Sequence, residues 1–281
     1  MRPFCLNCVR TRFAPRGARQ PFERSRLLYP PGVVDPLFLG AAFFGAAVLY
    51  SSVGHAGASA YLAAMGLLGV SPDVARPTAL ALNIVVASFV TFRFWRRGHI
   101  SWRALAPFLL GSIPLAFIGG SLPISGALYK QLVGVVLIVA AVQLVRTARR
   151  AAQADSGHAE PRVPTLPAIA IGAGIGFLSG LTGTGGGIFL SPTVLIAGWA
   201  EQRATAGMSA GFILANSIAG LTGNISRLAV LPPALPLWIG LVIVGAAIGS
   251  ELGSRQGHTL QLRGLLSVVL VIAGIKLIFF G

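Results

Sequence analysis

From Pro36 to the C-terminus the sequence is a series of long apolar segments separated by short polar connections. Hydrophobic residues make up 54% of the 281-residue chain and charged residues only 10%. Soluble domains, by contrast, average about 25% charged residues. Apolar runs of this length predict membrane-spanning α-helices. A transmembrane β-barrel would need a sustained alternation of apolar and polar positions, which the sequence lacks. The predicted fold class is therefore an all-α polytopic membrane protein.

The chain divides into two halves that share an order of segments. We expect a basic, disordered N-terminal tail at 1–34, a first transmembrane repeat at 35–145, a polar linker at 146–164 and a second repeat at 165–281. Each repeat is predicted to contain about four transmembrane helices and one short or re-entrant helix. The predicted spans are 36–53, 77–94, 104–121 and 127–145, then 166–181, 204–222, 234–250 and 263–280.

Two glycine-rich stretches, the first hinge at 54–59 and the second hinge at 183–187, interrupt the apolar pattern. Several glycines close together disfavour a continuous helix, at about 1 kcal/mol each relative to alanine. The apolar run after the second hinge, 188–200, has only 13 residues, about 20 Å as a helix against a hydrocarbon core of about 30 Å. Irregular backbone at membrane depth is buried in protein or lines a wet cavity, so the hinges are candidate binding sites.

The two hinges correspond to each other. Three glycine pairs are related by an offset of 129 residues: Gly54 and Gly183, Gly57 and Gly186, Gly69 and Gly198. Interrupted segments at matching positions of duplicated halves indicate a transporter binding site between the halves. The alternative is that these glycines only permit close packing between helices.

The basic residues favour short segments that do not cross the membrane. The tail, the 93–103 connection and the 146–164 linker are arginine-rich and would then share the cytoplasmic side. That arrangement makes the two halves parallel, whereas five full crossings in each half would make them inverted.

A helix that follows a glycine run leaves backbone N–H groups available at the positive end of its dipole. Small oxyanions are the ligands that such a site favours. The predicted substrate-binding residues are Gly54, His55, Gly57, Ser59, Asn83, Gly183, Thr184, Gly185, Gly186, Gly187, Asn216 and Ser217. Further candidates are Thr78, Ser88 and Ser209. Such polar groups can instead bond a neighbouring helix, and His55 can be a packed neutral histidine rather than a proton or anion site.

Other functions are disfavoured. The net charge of +15 comes from a tail and short connections, so we expect no nucleic-acid partner. Cys5 and Cys8 have no further cysteine beside them, and we expect no metal site or cofactor. Carboxylates avoid the predicted spans and the histidines are scattered, which argues against a proton relay and against an enzyme, so no catalytic residue is predicted.

The strings that carry a family resemblance are Ser51-Ser52-Val53-Gly54-His55-Ala56-Gly57-Ala58-Ser59, Arg76-Pro77-Thr78-Ala79-Leu80, Gly183-Thr184-Gly185-Gly186-Gly187 with Pro192, Ala206-Gly207-Met208-Ser209-Ala210 and Asn216-Ser217. With them, residues 36–281 resemble the sulfite exporter TauE/SafE family of membrane permeases. The resemblance implies a bacterial inner-membrane permease for sulfite, sulfonates and related anions, built from a duplicated unit of about four helices. Ala56 and Ala58 stand where the family commonly has glycine, so the first hinge is expected to be the less open.

We therefore expect a secondary transporter that exports a small sulfur-containing anion such as sulfite or an organosulfonate by alternating access around the paired hinges. A membrane potential that is negative inside favours anion export by about 2.3 kcal/mol per charge per 100 mV. The alternatives are an anion channel and a membrane-embedded enzyme. The expected partners are the anionic substrate and the lipid bilayer, with a possible homo-oligomer.

Overall fold

A computed structural model describes residues 35–52, 54–151, 161, 163–225, 231–252 and 259–279. Within these ranges the chain forms ten helices and no strand, which confirms the all-α prediction. The predicted N-terminal tail, with Cys5 and Cys8, and most of the predicted linker lie outside the described residues.

The helices are α1 (Pro36–Ser51), α2 (Ala58–Leu67), α3 (Pro72–Arg96), α4 (Trp102–Ser121), α5 (Gly126–Ala151), α6 (Thr165–Thr182), α7 (Gly187–Ile196), α8 (Gln202–Gly223), α9 (Leu235–Leu252) and α10 (Thr259–Phe279). Among the described residues, six helices are long and apolar enough to cross a membrane, namely α3, α4, α5, α6, α8 and α9. The two short segments predicted after the hinges are α2 and α7, each with 10 residues.

Local signals at the helix ends explain the starts of α1 and α3. Asp35 caps α1 by accepting a hydrogen bond from the Leu37 amide at 2.8 Å, and proline occupies the first helical position. The predicted start of the third segment at Pro77 is wrong, because α3 begins at Pro72 and carries Asp73 in its first turn. Pro77 lies inside the helix, a position that membrane helices tolerate when neighbouring helices pack around it.

The two halves interlock through their helices. The first helix of each half packs against the third long helix of the other half, α1 with α9 and α6 with α4. The remaining long helices pair with their counterparts, α3 with α8 and α5 with α10. An internal two-fold relation between the halves would produce this reciprocal pairing, so the pairing supports the predicted repeat.

Several glycines serve close helix packing. A Cβ built on Gly172, Gly176 or Gly180 of α6 would lie 2.3, 2.3 or 2.0 Å from a carbonyl oxygen of α4. No side chain fits at such a distance, so the backbones of α4 and α6 are in direct contact along this face. These packing glycines of α6 are distinct from the paired glycines of the hinges.

Contacts between helix ends establish the direction of each helix. We call the end of the bundle where α1 begins and α10 ends the terminal end, and the end where α5 ends and α6 begins the linker end. At the linker end Arg93, near the end of α3, forms a 2.9 Å ion pair with Glu251, near the end of α9. At the terminal end Arg76, near the start of α3, donates hydrogen bonds to carbonyls near the ends of α4 and α6.

These contacts show that the corresponding helices of the two halves run in opposite directions. For example, α3 runs from the terminal end to the linker end, whereas its counterpart α8 starts beside the α3–α4 connection, where a Cβ on Gly207 would lie 2.5 Å from the His99 carbonyl oxygen. The preference for parallel halves was therefore wrong. The prediction assumed that the short helices do not cross the membrane. Instead, α2 carries the chain from the first hinge back to the terminal end, so α3 starts at the end where α1 started.

Candidate substrate site

The second hinge is the break between α6 and α7. Gly183, Gly185 and Gly186 have positive φ angles of 86°, 77° and 81°. Residues with a Cβ adopt this left-handed region at a cost of about 1–2 kcal/mol, which explains why glycine occupies these positions. The chain therefore leaves α6, turns within a few residues and starts α7 inside the bundle.

The first hinge has the same backbone conformation at its corresponding positions. Gly54 and Gly57 have φ angles of 81° and 93°, and Gly57 directly precedes α2. Both members of all three glycine pairs at the 129-residue offset have positive φ. The offset found in the sequence thus relates positions that share a conformation as well as a residue type.

The second hinge lies against polar side chains from both halves, which we call the Asn83 cluster: Asn83 of α3, Thr184 of the hinge and Ser217 of α8. The Asn83 Nδ2 atom donates to the Thr184 carbonyl oxygen and to the Ser217 Oγ atom, both at 3.4 Å. Asn83 and Ser217 are fully buried and Thr184 is 3% exposed. Two distances of 3.4 Å are long for hydrogen bonds, so the cluster is held loosely.

Gly185 allows this close approach. A Cβ at that position would lie 2.6 Å from Asn83 Nδ2 and 3.1 Å from Ser217 Oγ. The carboxamide oxygen of Asn83 has no hydrogen-bond partner among the described residues, and neither does that of Asn216, whose Nδ2 donates to the Phe212 carbonyl in its own helix at 2.9 Å. Buried amide groups are rarely left unpaired, which marks this region as one that receives a further polar group.

The backbone of the second hinge adds donors. Gly186 accepts hydrogen bonds from the amides of Phe189 and Leu190 at 3.0 and 3.2 Å, which closes the first turn of α7. The amides of residues 184–187 donate to no acceptor in the described part of the chain. They lie at the N-terminus of α7, where the helix dipole favours negative charge.

A second polar group joins the two halves closer to the first hinge. The Oγ atom of Ser191 in α7 lies 3.0 Å from His55 Nε2 and 2.7 Å from the Oγ atom of Ser209 in α8. His55 is half-buried and the two serines are buried. The predicted hinge histidine thus contacts the short helix of the other half.

The remaining predicted polar residues are distributed unevenly. Ser59 shares a 2.6 Å hydrogen bond with the buried hydroxyl of Tyr50, so its side chain braces α2 against α1. Ser88 is exposed and donates to the Ile84 carbonyl of its own helix, so it lies apart from the hinges. Thr78 is buried, and its hydroxyl has no partner among the described residues.

Arg76 is a structural residue of this region that sequence reasoning missed. Its side chain is 1% exposed, and its guanidinium donates to the carbonyl oxygens of Gly119, Gly120 and Leu122 on one side and of Gly180 on the other. These carbonyls lie at the C-terminal ends of α4 and α6, just before the second hinge. The signal in the sequence is an arginine within an apolar segment, a position where a charge needs buried partners.

Negative formal charge lies at helix ends in the described residues, whereas Arg76 carries a buried positive charge. The described carboxylates, Asp35, Asp73, Glu201 and Glu251, all lie at helix ends, as the sequence predicted. The described residues hold no group of three or more metal-ligating side chains. Apart from the buried guanidinium of Arg76 and the imidazole of His55, the polar side chains described at the hinges are amides and hydroxyls.

A family model named sulfite exporter TauE/SafE matches residues 38–277. The chain belongs to the sulfite exporter TauE/SafE family. It is therefore a multi-pass membrane transporter, as the resemblance in the sequence predicted. The match covers both halves and both hinges, and leaves out the N-terminal tail.

Two relatives of this TauE/SafE-family chain are named as transporters. The probable membrane transporter protein y4hK of Sinorhizobium fredii is 42% identical over 246 residues, which cover 87% of this chain and 99% of the relative. The probable membrane transporter protein MJ0441 of Methanocaldococcus jannaschii is 29% identical over 212 residues, which cover 70% of this chain and 76% of the relative. Both names point to a protein that is not an enzyme. No solved structure matches the chain.

Proposed function

We propose that this family member is a secondary transporter that exports a small sulfur-containing anion, sulfite or an organosulfonate. The observation that carries the proposal is the Asn83 cluster, which lies buried against the donor-rich N-terminus of α7. The hinge amides 184–187 and the Ser217 hydroxyl supply hydrogen-bond donors without a fixed charge, and the Asn83 amide, held by two contacts of 3.4 Å, can turn a donor towards the substrate. Such a site binds a small oxyanion by hydrogen bonds and dipoles and can release it again.

The inverted arrangement of the halves supports alternating access as the mechanism. Each hinge starts a short helix inside the bundle, and α2 and α7 run from there towards opposite ends. Inverted repeats with broken helices around a central site provide two related conformations, one open to each side. Asn83, Thr184 and Ser217 are buried, so in our proposal a change of conformation opens this site to each side in turn.

Export is the direction that the energetics favour. The predicted site contains no mid-span carboxylate that could couple uptake to a proton gradient. An anion moving outward gains about 2.3 kcal/mol per charge per 100 mV of inside-negative potential. The transporter can therefore expel an anion without a second substrate.

The test is flux in proteoliposomes that contain the purified protein. Sulfite, a small anionic sulfonate such as sulfoacetate, sulfate and chloride are offered in turn, with and without an imposed pH gradient. We expect saturable flux of sulfite or a sulfonate that responds to membrane potential. Equal flux of chloride and of every other anion, without saturation, would instead indicate a channel and contradict the proposal.

A further inference from the structure

A cavity of about 270 Å³ lies at the terminal end of the bundle. It is lined by the end of α2, the start of α3, the start of α5 and the end of α10. Most of its wall is apolar, but two lysines, Lys130 of α5 and Lys276 of α10, line it together. A water molecule occupies about 30 Å³ in the liquid, so the cavity has room for a small oxyanion with several waters.

The two lysines give the cavity a positive character. Lys276 Nζ donates a 2.6 Å hydrogen bond to the carbonyl oxygen of Leu67, at the C-terminal end of α2. An ammonium group has three donors, so this bond leaves two that can reach a ligand. Lys130 is half-buried on the neighbouring helix, and no carboxylate belongs to the described lining of the cavity. Asp73, between the lining residues Pro72 and Ala75, is close enough to act electrostatically on Tyr129. The two lysines outnumber this one carboxylate, so the pocket favours an anionic ligand.

Tyr129 connects the cavity to the Asn83 cluster. Its side chain lines the cavity, and its buried hydroxyl donates to the Thr182 carbonyl oxygen at 3.0 Å. The Thr182 hydroxyl in turn lies 3.0 Å from the Thr184 hydroxyl, within the second hinge. The tyrosine ring therefore stands between a cationic cavity and the candidate substrate site.

We propose that this cavity is a vestibule in which Lys130 and Lys276 bind the transported anion, and that Tyr129 is the gate between the vestibule and the Asn83 cluster. The inference rests on the proposed function, because it assigns a second site to the same substrate. An anionic lipid headgroup has the same chemistry. The continuity through Tyr129 and Thr182 to the hinge favours the transported anion as the occupant.

The test compares sulfite flux of wild type, Lys130→Gln, Lys276→Gln and the double variant in vesicles of phosphatidylcholine alone. We expect each substitution to raise the half-saturating sulfite concentration about fivefold, as the loss of one charge contact in water would, with little change in maximal flux. Lys130→Arg restores the charge and should restore the wild-type value. High salt should shrink the difference, because it screens exposed charges. Arg103→Gln, an exposed cation at the linker end, is the matched control and should change neither quantity.

Each other outcome overturns the inference. If the wild type transports sulfite and the lysine variants have the same half-saturating concentration, the vestibule is excluded and the proposed function stands. A fall in maximal flux alone assigns the lysines a structural role. An effect that requires added phosphatidylglycerol assigns the cavity to a lipid headgroup. Absence of saturable flux in the wild type overturns the proposed function, and this inference with it. If Lys276→Gln fails to insert because Leu67 loses its partner, Lys130→Gln alone decides.

Discussion

At the scale of single residues, the corresponding positions of the two hinges have similar backbones and different side-chain surroundings. Ser217 and Ser88 are related by the same 129-residue offset as the glycines. Ser217 is fully buried beside Asn83, whereas Ser88 is exposed and bonds its own helix. The second hinge, with Asn83 contributed by the first half, therefore carries the polar groups that we assign to the substrate.

The serine pair provides the first prediction. Ser217→Ala removes a donor from the Asn83 cluster, and the loss of one buried hydrogen bond to the substrate, about 1.4 kcal/mol, corresponds to a roughly tenfold higher half-saturating concentration. Ser88→Ala is the matched control and should transport like wild type. Sulfite flux in proteoliposomes measures both. Equal behaviour of the two variants would remove Ser217 from the site.

The second prediction concerns Gly185. Gly185→Ala and Gly198→Ala both place a Cβ at a positive φ, 77° and 66°, and this strain should lower stability by about 1 kcal/mol in each. Gly185→Ala should lose more, because its Cβ would also lie 2.9 Å from Ile213 Cγ2. Only at Gly185 would the new Cβ meet the site, 2.6 Å from Asn83 Nδ2, because nothing lies within 4 Å of a Cβ at Gly198. We expect about tenfold weaker transport for Gly185→Ala alone, through displacement of the Asn83 amide. Similar losses in both variants would mean that backbone strain, and not the displaced amide, is responsible.

At the scale of helices, close packing and one buried arginine hold the second hinge in place. Glycines bring α4 and α6 into backbone contact, and Arg76 joins the C-terminal carbonyls of the same two helices. Carbonyls at a helix end have no intrahelical donor, and a guanidinium, whose donors form a rigid fork, can serve carbonyls on two helices at once. The start of the hinge is thereby fixed relative to α3, which also carries Asn83.

Replacement of Arg76 gives the third prediction. Arg76→Gln should lower the free energy of unfolding in detergent by about 3 kcal/mol, because several buried carbonyls lose charged donors. Arg76→Lys should recover only part of this loss, since an ammonium is a compact charge that cannot reach carbonyls on two helices together. The exposed Arg103→Gln, at the other end of α4, is the control. Wild-type stability in Arg76→Gln would show that the contacts contribute nothing.

Much at this scale could be predicted from the sequence. The order of the helices follows from apolar runs, and the short helices follow from glycines that a helix disfavours, so most boundaries are within a few residues. The contact of Asn83 with Ser217 could not be predicted, because the two residues are 134 positions apart and only the packing of α3 on α8 brings them together. The partners of Arg76 depend in the same way on the ends of α4 and α6.

At the scale of the whole molecule, the direction of the halves is the main difference from the sequence-based expectation. The number of arginines in each connection indicates on which side of the membrane it lies. It does not show whether a 10-residue helix returns the chain to the end of the bundle from which it came. Helix contacts do establish the direction of each short helix, and they show that the halves are inverted.

The fourth prediction is therefore topological. Cysteines introduced by His158→Cys in the linker and Gly281→Cys at the C-terminus, in a Cys5→Ser, Cys8→Ser background, should react with a membrane-impermeant thiol reagent from opposite sides. Labelling of both cysteines from the same side would show that the halves are parallel and would contradict the inverted arrangement.

The central claim is that one buried site carries a sulfur-containing anion by alternating between two sides, and counterflow tests it most directly. Proteoliposomes are loaded with unlabelled sulfite, and the uptake of labelled sulfite from a dilute external solution is followed over time. A carrier that alternates around one site should accumulate label transiently above the external concentration, and empty vesicles should not. Label that never exceeds the external concentration, at any internal load, would contradict alternating access around the Asn83 cluster.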